Sequence, residues 1–462
     1  MARSHQNLPS MVTAKLARDK AQGEAKKWVN VTLDGPDDGG DFGPNTKGTL
    51  TGGIQEAVDY AHENFRDVYI WGGRGGLDKT RLVAENVYHL KETLKIPWSQ
   101  DFRLDGGNYV LNYEKKTGVA LHIDSQMSCK YKFGLIVSES KDPVVAVKPE
   151  SAGPDNFRAI VTSDFEFVAP VCMHPDGVGL LLDSTNGPVM HCRFFSTEIN
   201  SYGVALQLSD NGGAGRWVAN NWIHVSMGNQ YHAVGDAIGL KLGEEGSDQV
   251  VHNRIDMSLS SPRGAYFDEK TKTYKLPENF TPPVNSVGAD IFGQKNELSL
   301  VFYGKRSLGK DIVFEEGSRD NTVYALNLPN GYTNKAKVPT NRIVPSWEVG
   351  FDVPTSKVPM AGRPVLNDTP YTVDVMIVSP GKVSSWTITE AERAPQRFPN
   401  NTTIADTVKG PQHPEYRKTD PKTRSVTFRS PLASGQTIAL QPGDALKLAY
   451  SVAPTWRWRA VR

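Results

Sequence analysis

Short runs in which apolar and polar residues alternate recur along this chain and share one internal pattern. Each run begins with a small residue, continues with aliphatic residues around a variable centre, and ends at a polar or glycine position. The four copies are Gly118–Asp124, Gly177–Asp183, Gly203–Ser209 and Ala237–Gly243. Self-similarity with a period of roughly 20–45 residues is typical of stacked repeats. The pattern therefore predicts a solenoid of short strands.

A second pattern follows the last three copies and extends the repeat. It comprises Val189–Phe195, Val218–His224 and Val250–Asp256. Superposition of these segments places Phe194, Ile223 and Ile255 at one apolar position. Strand alternation predicts that this position faces the core and that its neighbours face solvent. The neighbours are Arg193, Trp222 and Arg254 on one side and Phe195, His224 and Asp256 on the other.

The same superposition places Cys192, Asn221 and Asn253 at one position beside a turn. Asparagines that stack on successive turns of a solenoid bond to one another through their side-chain amides. We therefore predict a structural role for this column.

The segment before the repeats combines a strand, a loop rich in Asp and Gly, an amphipathic helix and a second strand. The helix is predicted at Gly53–Ala61, with an apolar face formed by Ile54, Ala57, Val58 and Ala61. This order over residues 29–76 resembles the entrance to the pectate-lyase superfamily, and the repeats extend the resemblance to about residue 330. The resemblance implies a right-handed parallel β-helix capped by the helix, and a carbohydrate-active protein.

These patterns predict an all-β chain in which a right-handed parallel β-helix precedes a smaller domain. We assign residues 1–28 to an N-terminal arm or helix, 29–330 to the β-helix, and 331–365, which contain many prolines, to a linker. Residues 366–462 resume an alternating pattern and are predicted to form an antiparallel β-rich domain.

The overall charge bears on partners and location. The chain has 462 residues and a net charge of +1, which predicts no nucleic-acid partner. No apolar run is long enough to span a membrane. The first residues lack the apolar core of a secretory signal, which predicts either a cytoplasmic protein or a secreted or periplasmic one whose leader has been removed. We also expect that copies can associate along flat faces of the coil.

Cysteine and metal-binding patterns are sparse. Cys129, Cys172 and Cys192 are too few for a disulfide framework and are predicted to be small buried residues. The chain lacks CxxC and HExxH spacing, so we predict no metal site and no cofactor.

The outward-facing ribbon of cations, aromatic rings and carboxylates is the predicted substrate-binding surface. Rings and charged groups side by side suit a saccharide, which presents both apolar faces and hydroxyl groups. The substrate-binding candidates are Arg193, Trp222, His224, His252 and Arg254.

Acidic residues that follow the first pattern are the predicted catalytic groups. They are Asp183, Asp210, Glu244 and Asp268. Stacked carboxylates would lie one or two rungs apart, at about 4.8 Å per rung. Glycosidases use carboxyl pairs about 5–5.5 Å or about 6.5–9.5 Å apart. This column predicts a glycoside hydrolase in which one acid protonates the leaving oxygen and another acts as base or nucleophile.

Two other functions remain open at this point. One is a polysaccharide lyase that uses an Arg or His base, and the other is a non-catalytic glycan-binding or spike-like protein. The polygalacturonase motifs N-T-D, G-H-G and R-I-K are absent, as is the D-P-H-D motif of mannuronan epimerases. No catalytic residue can therefore be transferred from those families.

Overall fold

A computed structural model describes most of the chain. The described residues are 28–72, 87–106, 109–153, 156–210, 215–229, 236–260, 266–268, 273–275, 285–303, 309–346, 352–391, 417–420 and 424–461. The predicted N-terminal arm lies outside them except for Trp28. The chain divides into two compact units, residues 1–313 with 328–333 and residues 314–327 with 334–462.

Parallel strands wind through the described part of the first unit and form sheets that run along the coil. In sheet 1, each strand pairs with the next turn of the chain. Its strands are, in order, Trp28–Val31, Asp67–Ile70, Arg103–Gly106, Lys130–Ser138, Asp164–Cys172, Arg193–Ser201, Trp222–Asn229, Arg254–Ser260 and Glu297–Tyr303. Val87–Leu90 pairs with Val110–Tyr113, which pairs with the second half of Lys130–Ser138.

Two further sheets complete each turn. Sheet 2 contains the first repeated pattern, and its strands are Leu94–Ile96, Leu121–Ile123, Val145–Val147, Val178–Asp183, Val204–Ser209, Ile238–Leu242, Val287–Ile291, Lys310–Phe314 and Tyr332–Asn334. Sheet 3 consists of two-residue strands, Ser99–Gln100, Gln126–Met127, Ile160–Val161, Val189–Met190, Val218–Ala219 and Val250–Val251. The predicted parallel β-helix is confirmed.

The interior of the coil is a set of apolar columns. Phe194, Ile223 and Ile255 pair in register and are at most 2% exposed. Phe165 stacks on Phe194 with ring centroids 4.8 Å apart. Because neighbouring strands are fixed about 4.8 Å apart, like side chains on successive turns meet at van der Waals distance.

A left-handed residue turns the chain from sheet 3 into sheet 1. His191, Asn220 and His252 occupy this corner with φ of 57°, 56° and 57°. The next residue points inward, and here the predicted asparagine column is confirmed. Asn221 donates from its backbone N–H to Asn253 Oδ1 at 3.2 Å, and Asn253 donates likewise to Asn296 Oδ1 at 2.9 Å.

The cysteines are buried, as predicted. Cys129, Cys172 and Cys192 are free thiols, each no more than 1% exposed. Burial raises the pKa of Cys192 to about 12 and that of Cys129 to about 11. Cys192 occupies the asparagine position of its turn, where its backbone N–H donates to Asn221 Oδ1 at 3.0 Å.

The predicted helix spans Ile54–Glu63. Its buried residues are Ile54, Ala57, Val58 and Ala61, as the sequence pattern indicates. The helix packs against the first strands of sheets 1 and 2. Within the described residues, no helix combines the length and apolar character needed to cross a membrane.

The second unit is dominated by antiparallel sheets, as predicted for the C-terminal region. One sheet has the strand order Pro364–Leu366, Ala445–Val452, Lys382–Thr389, Ser425–Phe428 and Arg417–Asp420. Another has the order Thr437–Leu440, Thr372–Ser379 and Thr455–Val461. A parallel pair, Thr322–Leu326 and Arg342–Pro345, also belongs to this unit. The segment assigned to a linker thus contains the strands Tyr332–Asn334, Arg342–Pro345 and Pro364–Leu366.

Candidate functional site

The outer face of sheet 1 carries two columns of solvent-facing side chains. Arg193 pairs with Trp222 and Trp222 with Arg254, while Phe195 pairs with His224 and His224 with Asp256. These pairs are the ones that the sequence superposition predicts. Trp222 is 50% exposed and Phe195 is 42% exposed, so both present ring surface to solvent.

A groove of about 510 Å³ follows these columns toward the earlier turns of the coil. Most of its polar lining comes from four cations and three carboxylates on neighbouring strands. They are Arg103, Lys130, Lys132, Arg193, Asp105, Asp164 and Glu166. Phe195, Trp222 and His224 line it at one end.

Ion pairs fix most of the charged groups in the groove. Arg193 donates from Nε and Nη2 to the two oxygens of Asp164, both at 2.7 Å. Lys132 pairs with Glu166 at 2.9 Å, and Arg103 pairs with Asp105. Hydrogen bonding to Asp164 raises the pKa of Arg193, and hydrogen bonding to Glu166 raises that of Lys132. The groove therefore holds charges of both signs in defined positions.

Aromatic rings form the other part of the lining. Phe195 and His224 stack with centroids 5.3 Å apart and planes within 5° of each other. Trp222 donates from its indole N–H to Asp256 Oδ2 at 3.1 Å, which fixes the indole beside this stack. Together these side chains make an ordered aromatic platform that is partly exposed to solvent.

The other substrate-binding candidates lie at the edge of this platform or away from it. Arg254 follows Trp222 on the next strand, and its Nε lies 3.8 Å from Asp256 Oδ2. His252 occupies the left-handed corner between sheets 3 and 1, and it does not line the groove. Its backbone role in that corner accounts for its alignment with His191 and Asn220.

Of the predicted catalytic acids, Asp183, Asp210 and Glu244 do not line the groove. Asp183 pairs in register with Ser209, so Asp210 falls one residue beyond the matching position. Asp183 is 7% exposed and accepts the backbone N–H of Thr185 at 2.7 Å. Asp210 is 1% exposed and accepts the N–H of Gln249 at 2.6 Å. Both carboxylates fix turns after strands of sheet 2.

Glu244 is also absent from the groove lining, and Asp268 is described through its backbone alone. Glu244 accepts the side-chain amide of Gln207 at 2.8 Å and lies 3.8 Å from Lys241 Nζ. Asp268 ends the strand Tyr266–Asp268, which pairs with Thr273–Lys275 in an antiparallel hairpin. The side chain of Asp268 lies outside the described residues.

Sequence reasoning missed the half of the groove that the earlier turns supply. Lys130–Phe133 and Asp164–Phe167 alternate charged and aromatic residues in the same way as Arg193–Phe195. Their register with that strand is now visible, since Lys130 pairs with Asp164 and Asp164 with Arg193. The alternation was a usable signal, but the turns between these segments differ in length.

Metal ligands are not grouped in the part of the chain that the structure describes: it contains no cluster of three or more His, Cys, Asp or Glu side chains that could hold an ion.

No protein-family model matches this sequence, and no curated protein matches it. Among solved structures, a mutant tailspike protein of E. coli bacteriophage HK620, in complex with a hexasaccharide, is 8% identical with a TM-score of 0.19. That alignment covers 89% of this chain and 90% of the tailspike. The tailspike protein of Acinetobacter baumannii phage AM24 is 8% identical with a TM-score of 0.18, over 88% of this chain and 78% of the other. Similarity at this level establishes neither a family nor a function.

Proposed function

We propose that this protein binds an oligo- or polysaccharide in the groove along the outer face of sheet 1. The observation that carries the proposal is the open aromatic platform of Phe195, Trp222 and His224 beside a row of fixed ion pairs. A sugar has an apolar face of C–H groups and an edge of hydroxyl groups. The aromatic platform can pack against the apolar face, and the ion pairs can hydrogen-bond the hydroxyl groups.

The ion pairs support a polar ligand over an apolar one. Asp164 is bonded on both oxygens by Arg193, yet the pair is solvent-exposed enough to accept and donate further hydrogen bonds. Fixed donors and acceptors bind hydroxyl groups at a low entropic cost because they are already ordered. A purely apolar ligand would displace water from these ion pairs without offering hydrogen bonds in its place.

Glycan binding can be tested on an array of neutral and acidic saccharides. We expect the wild-type protein to bind a subset of them and Trp222→Ala to weaken that binding by about tenfold or more, as for a central contact residue. Trp217→Ala is the matched control, because Trp217 is 41% exposed but does not line the groove. Absence of any glycan binding by the wild-type protein, or equal loss in both variants, would contradict the proposal.

Cleavage of a glycosidic bond is the second candidate function. Asp164 and Glu166 both point out from one strand, two residues apart, so their Cα atoms lie about 6.6 Å apart. The carboxyl groups of an inverting glycosidase lie about 6.5–9.5 Å apart, a separation that side chains leaving a strand at this Cα spacing can reach. Both carboxylates are already engaged, however: Arg193 donates to both oxygens of Asp164, and Lys132 pairs with Glu166 at 2.9 Å, so neither is free to contact a glycosidic oxygen. Binding is therefore the better supported function.

Product analysis separates the enzymatic alternatives. A hydrolase releases reducing ends without new ultraviolet absorbance, whereas a lyase that uses an Arg or His base creates an absorbing double bond. If reducing ends appear and the groove is the catalytic site, Asp164→Asn and Glu166→Gln should abolish the release of reducing ends. The sequence-based alternative assigns catalysis to the column of Asp183, Asp210, Glu244 and Asp268, and it predicts that Asp183→Asn and Glu244→Gln abolish release instead. If a glycan that the protein binds yields no products, the protein binds that glycan without cleaving it.

A further inference from the structure

A second aromatic cluster occupies the same face of sheet 1, at the N-terminal end of the coil. The rings of Trp28 and Tyr69 meet edge to face with centroids 6.0 Å apart, and those of Tyr69 and Trp71 do so at 4.8 Å. Trp71 is 52% exposed, and its indole N–H donates to Asn30 Oδ1 at 3.2 Å. The cluster is thus ordered and open to solvent on one side.

The two aromatic clusters are aligned along one column. Tyr69 pairs with Asp105, while Lys132 pairs with Glu166 and Glu166 with Phe195. Four strand-to-strand steps in sheet 1 separate Tyr69 from Phe195, which corresponds to about 19 Å at the spacing of parallel strands. A single sugar ring is much shorter than this span, so only a chain of several sugar units can contact both clusters at once.

Between the clusters, one cation is not neutralised. The pairs of Arg103 with Asp105, Lys132 with Glu166, and Arg193 with Asp164 balance one another. Lys130 is exposed, and its ammonium forms no salt bridge with any residue that the structure describes. Lys130 lies two strands from Tyr69 and two strands from Phe195. A positive charge is therefore available midway along the groove.

We propose that the ligand of this groove is an acidic glycan long enough to contact both aromatic clusters. Trp28, Tyr69 and Trp71 form the far subsite, and the carboxylate of an acidic sugar pairs with Lys130. This inference rests on the proposed saccharide binding and extends it to ligand length and charge. Simultaneous contact at both ends makes the second contact intramolecular, so affinity rises once the ligand can reach it.

The occupant follows from charge and shape. The described lining contains one more cation than carboxylates, so a neutral glycan offers Lys130 no counter-charge. A polyanion that is not a sugar offers the aromatic rings no apolar face. An acidic glycan provides apolar sugar faces for the rings and a carboxylate for Lys130.

The test uses three acidic size series and one neutral series. The full chain is titrated with each series from disaccharide to decasaccharide. The acidic series are oligogalacturonates, hyaluronan oligosaccharides and oligosialic acids, and the neutral series is cello-oligosaccharides. We expect at least one acidic series to gain about tenfold or more in affinity between the trisaccharide and the hexasaccharide, and the neutral series to bind more weakly than that acidic series at equal length.

Variants then locate the gain. Trp71→Ala should remove the gain with length while leaving trisaccharide affinity unchanged, and Trp217→Ala should change neither. Lys130→Gln should reduce affinity for the acidic series by about threefold to tenfold. The inference is overturned if the length dependence persists in Trp71→Ala. It is also overturned if the wild-type protein binds only the neutral series, or binds none of the acidic series.

Failure of this inference is distinguishable from failure of glycan binding itself. If the array detects binding that depends on Trp222 but Trp71→Ala and Lys130→Gln behave as wild type, only the far subsite and the acidic ligand are wrong. If the array detects no Trp222-dependent binding, the proposed function is wrong as well.

Discussion

The rings of Phe195 and His224 lie parallel on adjacent strands, 5.3 Å apart between centroids. One residue earlier on the same strand, Phe194 points inward and stacks on Phe165. Adjacent phenylalanines thus serve opposite faces of one sheet. This arrangement gives a direct way to separate ligand binding from folding.

Phe194→Ala should destabilise the protein, whereas Phe195→Ala should not. Phe194 is 2% exposed, and loss of a buried phenyl ring lowers the free energy of unfolding by about 3–5 kcal/mol. Phe195 is 42% exposed, so its loss should change stability by less than about 1 kcal/mol. Thermal unfolding followed by circular dichroism measures both. Equal losses would show that the assignment of inner and outer positions is wrong.

Asn253→Ala should weaken the corner between sheets 3 and 1. Asn253 Oδ1 accepts from Asn221, and its side-chain amide donates to the carbonyl oxygen of Val218 at 2.8 Å. Buried groups that lose a partner cost about 1–3 kcal/mol. Thr197→Ala, at an exposed site on sheet 1, is the control. Urea denaturation of both variants tests the difference, and an unchanged midpoint for Asn253→Ala would show that the asparagine column adds little to stability.

Cys192→Asn should be tolerated, because Cys192 stands at an asparagine position. The new amide can donate toward the carbonyl oxygen of Ile160, as Asn221 donates to that of Val189 at 3.0 Å. Cys192→Leu should instead overpack the corner and lower the free energy of unfolding by about 1–3 kcal/mol. The melting temperatures of the two variants distinguish these outcomes, and equal destabilisation by Asn and Leu would contradict the prediction.

The cysteines should not react with a thiol reagent in the native state. Reagents attack the thiolate, and burial raises the pKa of Cys192 to about 12 and that of Cys129 to about 11. Titration with a disulfide reagent should label all three thiols in denaturant and almost none without it. Rapid labelling of the native protein would mean that the coil opens at these corners.

Asp124 should make stability depend on pH in acid. Burial alone would raise the pKa of Asp124, but hydrogen bonds from Ser151, Glu150 and Ser125 outweigh it and hold the pKa below its ordinary value. Since the folded pKa lies below the unfolded one, this carboxylate stabilises the fold above the unfolded value near 3.8. That contribution is lost as the pH falls through the folded pKa.

Unfolding midpoints between about pH 5 and about pH 2 test this dependence. Asp124→Asn should be less stable than the wild type at neutral pH and should lose less stability on acidification. A parallel pH profile for the two proteins would show that Asp124 does not contribute.

The core and the outer columns of sheet 1 were predictable from the sequence because strand alternation is strict within a strand. Once Phe194, Ile223 and Ile255 are aligned, the positions of Arg193, Trp222 and His224 follow. The same alternation in sheet 2 predicts Leu182 and Leu208 as inward residues, and both are 0% exposed.

The acids were harder to place because they lie beyond the strands. No ladder of hydrogen bonds fixes the register of a turn, and Asp210 falls one residue past the partner of Asp183. The contribution of Asp164 and Glu166 was missed for a different reason. Asp164 precedes Arg193 by the same spacing as Arg193 precedes Trp222, but Thr162 and Ser163 stand where the later repeats have His or Asn followed by Cys or Asn, so this segment was not grouped with them.

Sheet 1 separates two kinds of positions, inward ones that hold the coil together and outward ones that contact solvent. Substitutions at Phe195 or Trp222 can therefore accumulate in evolution without disturbing Phe194 or Ile223. Duplication or deletion of one complete turn would likewise shift the distance between the two aromatic clusters by a single strand spacing. Each turn of the coil is thus a separable unit whose outward side chains can change, or whose number can change, while the inward columns of the remaining turns stay intact.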